Sequence, residues 1–65
     1  MSTAAYRNRL FTALLLSQSV PMQEMIADFG AREYVLEAIE MIRRDYKDIV
    51  VIDINGEVED ISMKM

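Results

Sequence analysis

Residues 22–41 read MQEMIADFGAREYVLEAIEM, and the way this stretch divides decides the fold. Met22, Met25, Ile26 and Phe29 recur at three- and four-residue spacing and so form one apolar helical stripe. Val35, Ile39, Ile42 and Tyr46 form a second, out of phase with the first. One continuous helix through Gly30 costs only about 1 kcal/mol relative to alanine, but it puts Arg32 or Glu33, three and four residues after Phe29, on the buried side. Two helices with a turn at Gly30 keep both charges outside. A glycine directly after the last apolar residue also adopts the left-handed C-terminal conformation without strain. The stretch therefore predicts a helix from Pro21 to Phe29, with proline in the first turn, where its missing N–H is no loss. A turn at Gly30 and a further helix follow, although Ala31 to Tyr34 offers that helix no side-chain cap.

Upstream, Ser2 and Thr3 are good caps, and Tyr6, Leu10, Phe11, Ala13 and Leu14 keep helical spacing. A first helix is expected from about Thr3 to Ser17. Its last two turns are apolar nearly all round, with Phe11, Leu14, Leu15 and Leu16 needing cover, so it is expected to be the central helix. Downstream of Lys47 the period changes from 3.6 to 2. Ile49 to Ile54 is β-branched and strand-like, Asn55-Gly56 is a strong hairpin signal, and Glu57 to Met63 supplies a return strand. The register stays open. A two-residue type I′ turn pairs Ile54 with Glu57, whereas a bulged three-residue loop shifts the partner.

The composition narrows what such a chain can do. The 65 residues hold 7 Lys+Arg and 11 Asp+Glu, a net charge of -4, with 52% apolar residues and neither Cys nor His. One domain is the most this length supports. Disorder requires lower hydrophobicity and higher charge. Without Cys or His the usual nucleophile, the usual general base and the commonest transition-metal ligands are missing, so no catalytic residue, metal site or cofactor is expected. Arg7 and Arg9 ahead of Leu10 to Leu16 resemble a minimal secretory signal. Cleavage after it would leave a cysteine-free remainder too short to hold a core, and the apolar run falls well short of the roughly 20 residues that span a bilayer. The expected compartment is the cytoplasm, with no membrane contact.

The order helix, helix, glycine turn, helix, two-stranded ribbon resembles the winged helix-turn-helix family in minimal form. Met25 and Phe29 stand where that family has apolar residues of its first motif helix, Gly30 at the turn glycine and Ala31 at the small residue after it. Leu36 and Ile39 stand at the apolar pair of the recognition helix. The family favours alanine four residues before the turn glycine. Ile26 occupies that place here, and its bulk implies a wider or rotated helix crossing. The resemblance implies an α+β fold in which three helices are followed by a two-stranded antiparallel hairpin, the wing. It also implies a small DNA-binding regulator acting on double-stranded DNA as a homodimer. The outer face of the recognition helix is then expected at Arg32, Glu33, Tyr34, Glu37 and Ala38. Arg32, Tyr34 and Glu37 are the base-facing candidates, and Arg43, Arg44 and Lys47 the phosphate contacts.

Charge along the chain supports a different class of function. Residues 1–20 carry Arg7 and Arg9 and no acid, whereas residues 48–65 carry Lys64 against Asp48, Asp53, Glu57, Glu59 and Asp60. A wing that lies along phosphates is basic, and this hairpin is acidic. Asp53, Glu57, Glu59 and Asp60 are thus candidates for a surface that binds a basic protein partner, either as an interaction module or as a mimic of DNA. The plain alternatives are a solvated, aggregation-resistant sheet edge for the acids, and helix-terminal charges pairing with Glu40 for Arg43 and Arg44.

Overall fold

In the computed structural model, which describes residues 2–65, the Ser2 hydroxyl accepts the N–H of Ala5 at 3.3 Å and caps α1, Thr3–Ser17. The helix ends at Gln18, which turns left-handed at φ 61° while its N–H donates to the Leu14 carbonyl at 2.7 Å. The chain then runs extended through β1 (Ser19–Pro21) before α2 (Met22–Phe29). Gly30 takes the expected left-handed conformation at φ 95° and donates its N–H to Ile26 at 2.8 Å. Ala31 opens α3 (Arg32–Asp45) without a side-chain cap. β2 (Val51–Asn55) and β3 (Asp60–Lys64) complete the chain.

The α+β architecture is as expected, but the sheet has three strands in the order β1-β3-β2, both pairings antiparallel. The expected two-stranded hairpin is therefore incomplete, and the start of α2 shifts from Pro21 to Met22. Pro21 satisfies both elements: its φ of -66° and ψ of 134° are extended, it cannot donate a ladder bond, and an edge strand tolerates that loss. A three-residue edge strand has no alternation to read, so proline's helix-opening preference dominated the sequence pattern.

The hairpin register departs from both expected turns. Asn55 pairs with Asp60 across a loop of Gly56 to Glu59, and Gly56 alone in that loop has positive φ, at 83°. A type I′ turn requires positive φ at Asn55 as well. The longer loop is favoured because it sets Ile54 against Ile61 and Ile52 against Met63 on the inner face. The two-residue turn would have set Ile54 against Glu57. Burial of apolar pairs outweighs the local turn preference.

The core is one cluster of Leu10 and Leu14 from α1, Met22 and Phe29 from α2, Val35, Ala38, Ile39 and Ile42 from α3, and Val20, Val50, Ile52, Ile61 and Met63 from the sheet side. α1 lies along α3, with Phe11 stacked on Tyr46 at a ring separation of 4.6 Å, and it also meets the end of α2, where Tyr6 lies against Phe29 at 4.7 Å. Two expectations about the core change. Leu15 and Leu16 stay exposed, because only the Leu10–Leu14 side of α1 meets α3 and the sheet. Leu36 is also exposed while Ala38 is buried, since the inward direction of α3 is set by Val35, Ala38, Ile39 and Ile42. Among the described residues no helix is long and apolar enough to cross a membrane.

Two substitutions separate backbone from packing effects. A Cβ at Gly30 would meet no heavy atom within 4 Å, so Gly30→Ala is expected to destabilise by about 1–2 kcal/mol through backbone conformation alone, and Gly30→Asn by less. Leu14→Ala, at a fully buried position, is expected to cost about 2–5 kcal/mol. Urea unfolding measures both. Equal losses for Ala and Asn at position 30 would show that the left-handed turn is not what the glycine provides.

Candidate functional site

The helical period sorts the side chains of α3 into four sectors. Val35, Ala38, Ile39 and Ile42 face the core. Arg32 and Arg43, three turns apart, lie on one flank and reach the hairpin. Arg32 Nη1 and Nη2 donate to the two carboxylate oxygens of Glu59 at 3.0 and 2.6 Å. Arg43 Nε and Nη2 donate to the Ile52 carbonyl at 3.3 and 2.9 Å. On the opposite flank Tyr34 stacks on Tyr6 at 5.4 Å and Asp45 takes the guanidinium of Arg7. The outward sector holds Glu33, Glu37, Glu40 and Arg44, all exposed, at the four-, three- and four-residue steps of a helical stripe.

The β2–β3 loop sits against the starts of α2 and α3. Its Glu59 is fastened twice: the carboxylate by Arg32, and the carbonyl by the N–H of Met22 at 2.9 Å. The second bond satisfies the first helical N–H of α2, which Pro21 has no side chain to cap. A shallow cleft of about 280 Å³ lies under the loop, lined by Met22, Gln23, Ile26 and Arg32 with Glu57 to Glu59. Ile26 is thus half-buried beneath the loop. The hydrogen bond from Arg32 holds the Glu59 carboxyl below the ordinary glutamate range, and the same bond raises Arg32 further.

The basic residues do not converge. Arg9 pairs with Asp28 at 2.6 Å, Arg43 with Glu40 at 2.6 Å and Arg44 with Asp45 at 3.5 Å, in addition to Arg7 with Asp45 and Arg32 with Glu59. Among the described residues only Lys47 and Lys64 lie outside an ion pair. Of the positions predicted to contact DNA, Arg32 and Arg43 are thus bonded to the hairpin and Tyr34 is stacked on α1, although these three stay exposed, as do Glu37, Arg44 and Lys47. Of the acidic candidates, Glu57 is exposed in the loop, Glu59 is taken by Arg32, Asp60 is half-buried opposite Asn55, and Asp53 stands on the outer face of the sheet.

What results is a mostly acidic outward stripe on α3, Glu33, Glu37 and Glu40 ahead of Arg44, with Glu40 held by Arg43, and a further exposed acid, Glu57, on the β2–β3 loop. Sequence reasoning named Glu57 for partner binding and Glu37 for a base contact, placed Glu33 on the outer face of the helix, and named neither Glu33 nor Glu40 as partner-binding. Their four- and three-residue spacing was visible once the buried phase of α3 had been set by Val35, Ile39 and Ile42. Among the described residues no group of three or more His, Cys, Asp or Glu side chains converges on a possible metal position. No protein-family model, curated protein or solved structure matches this chain.

Because the folded-state pKa of Glu59 is lowered, its pairing contributes above the ordinary glutamate pKa of about 4.3 and is lost as pH falls through the lowered value. A carboxyl NMR titration is expected to place the Glu59 midpoint below that of an exposed glutamate and to return it there in Arg32→Ala. An unshifted wild-type midpoint would mean that the pair does not form in solution. Arg43→Ala is expected to destabilise by about 1 kcal/mol by stripping the Ile52 carbonyl of its donors, against a change within about 0.5 kcal/mol for Arg44→Ala. Paired denaturation curves test that contrast.

Proposed function

We propose that this chain is a winged helix-turn-helix scaffold used to bind a basic protein partner, with the outer stripe of α3 and the β2–β3 loop as the binding face. The scaffold part of the proposal is supported by the succession of α2, the Gly30 turn, α3 and the hairpin. The partner part rests on one observation: Glu33 and Glu37 line the solvent side of α3 without an ion-pair partner among the described residues, with Glu40 held by Arg43 and Arg44 closing the stripe, while Arg32 and Arg43 on the same helix are bonded to the hairpin. Such a surface repels phosphates and attracts a cationic one, steering it over a Debye length of about 8 Å at physiological salt. In this reading the face is either an interaction surface or a mimic of DNA's charge.

A second reading, a DNA-binding transcriptional regulator, is favoured by the position of Arg32. It stands in the first turn of α3, where the resemblance implies entry into the major groove. Duplex DNA would have to draw Arg32 away from Glu59, with Tyr34 and Glu37 beside it and Arg43, Arg44 and Lys47 toward the phosphates. A dimer would be needed to grip enough of the duplex.

Fluorescence anisotropy at low salt separates the two. The protein is expected to bind an arginine-rich peptide and to leave duplex DNA unbound. Glu33→Gln with Glu37→Gln is expected to weaken the peptide complex roughly tenfold, equivalent to about 1.4 kcal/mol. Glu24→Gln with Asp48→Asn, which removes as much charge elsewhere, is expected to leave it nearly unchanged. Equal effects from the two pairs would reduce the acidic face to general solvation. Retention on duplex DNA that falls steeply with salt and with Arg32→Ala would establish the DNA reading instead.

A further inference from the structure

The acidic face does not involve the opposite end of the hairpin, where the chain leaves large apolar side chains in water. Leu15 is 48% exposed, Leu16 82% and Met65 81%. Leu15 and Met65 line a groove of about 500 Å³ with Gln18, Met63 and Lys64. Val51, directly across the ladder from Lys64, extends the apolar area onto the outer face of the sheet. Charge is sparse on the segments that line the groove: residues 10–23 hold no ionisable side chain, and residues 61–65 hold Lys64 alone. Desolvated centres of protein interfaces carry this composition, apolar with few charges.

We propose that this end is where a second copy of the chain docks, about a two-fold axis. The charges at its border select that occupant. Strand alternation puts Lys64 and Asp53 on the outer face of the sheet, since their neighbours Met63, Ile52 and Ile54 turn inward. Neither Lys64 nor Asp53 enters an ion pair among the described residues. Lys47, outside any ion pair among those residues as well, borders the same face beside Val51 and Asp53, so unpaired charges of both signs edge the apolar area, and such a surface is complementary to itself. Across a two-fold axis Lys64 of each copy meets Asp53 of the other, and the apolar side chains between them are covered. Approach at this end also keeps the acidic loops apart, because Glu57 and Glu59 lie at the far end of the strands. A standard interface takes about 800 Å² from each partner, roughly a fifth of the 4224 Å² accessible on this chain.

Sedimentation equilibrium of the full chain tests the proposal independently of the acidic face. The wild-type protein is expected to run at twice the 7.5 kDa of one chain. Leu16→Asp, at a side chain already in solvent, is expected to keep the helical circular dichroism and to raise the dimer Kd at least about tenfold. Lys64→Glu and Asp53→Lys are each expected to raise it several-fold, and the two together to restore it. Glu57→Gln is expected to leave it unchanged, so failure of the basic-partner reading and failure of this one are distinguishable. A single-chain mass at all concentrations up to the millimolar range would overturn the proposal. So would a dimer indifferent to Leu16→Asp, or a charge swap in which the double variant is no tighter than the singles.

Discussion

Ile61 lies in the middle strand, wholly buried, with Val20 opposite it on one side and Ile54 on the other. That pairing governs the rest of the hairpin. A slip of one residue would turn Asp60 or Ser62 into the core and Ile61 and Met63 out of it, so the register is held by all the apolar surface of the strand. The register in turn sets the loop at four residues. Its length brings Glu59 to the first turns of α2 and α3, where one residue meets both the Met22 N–H and the Arg32 guanidinium.

The parts of the fold that were legible in the sequence are those where one signal acts alone. The limits of α1, the left-handed turn at Gly30 and the buried sector of α3 each follow from periodicity or from a residue with a single conformational use. Two competing signals obscured the rest. Pro21 is acceptable both at a helix start and at a sheet edge, and only its pairing with Asp60, far along the chain, selects between them. Asn55-Gly56 favours a two-residue turn, yet the apolar partners of Ile52 and Ile54 lie farther along. The likeness to the recognition-helix pattern nominated Leu36, while the plain stripe of Val35, Ile39 and Ile42 already pointed the helix inward on another side.

The candidate site was half legible for a related reason. Which residues are charged is plain from the sequence, but which charges remain free depends on contacts between distant segments. The arginines join elements: Arg7 ties α1 to α3, Arg9 ties α1 to α2, Arg32 ties α3 to the loop and Arg43 ties α3 to β2. Each occupies a carboxylate or a carbonyl that would otherwise face water. The acids without such a partner, Glu33, Glu37 and Glu57 among them, then dominate the field outside the molecule. A modest overall charge leaves an acidic stripe on α3 because four of the seven positive side chains are spent on internal joints.

The bond from the Met22 N–H to the Glu59 carbonyl also governs the order of assembly. α2 has eight residues, too few to persist alone, and the acceptor for its first amide comes from near the other end of the chain. That first amide finds its acceptor only once the loop before β3 has docked, a contact of high sequence separation that forms late in a folding chain. In the native protein the same link ties the loop to the first turn of α2. Whatever draws the loop away from the body of the molecule frays a helix as it does so, and a partner that presses the loop home stiffens one.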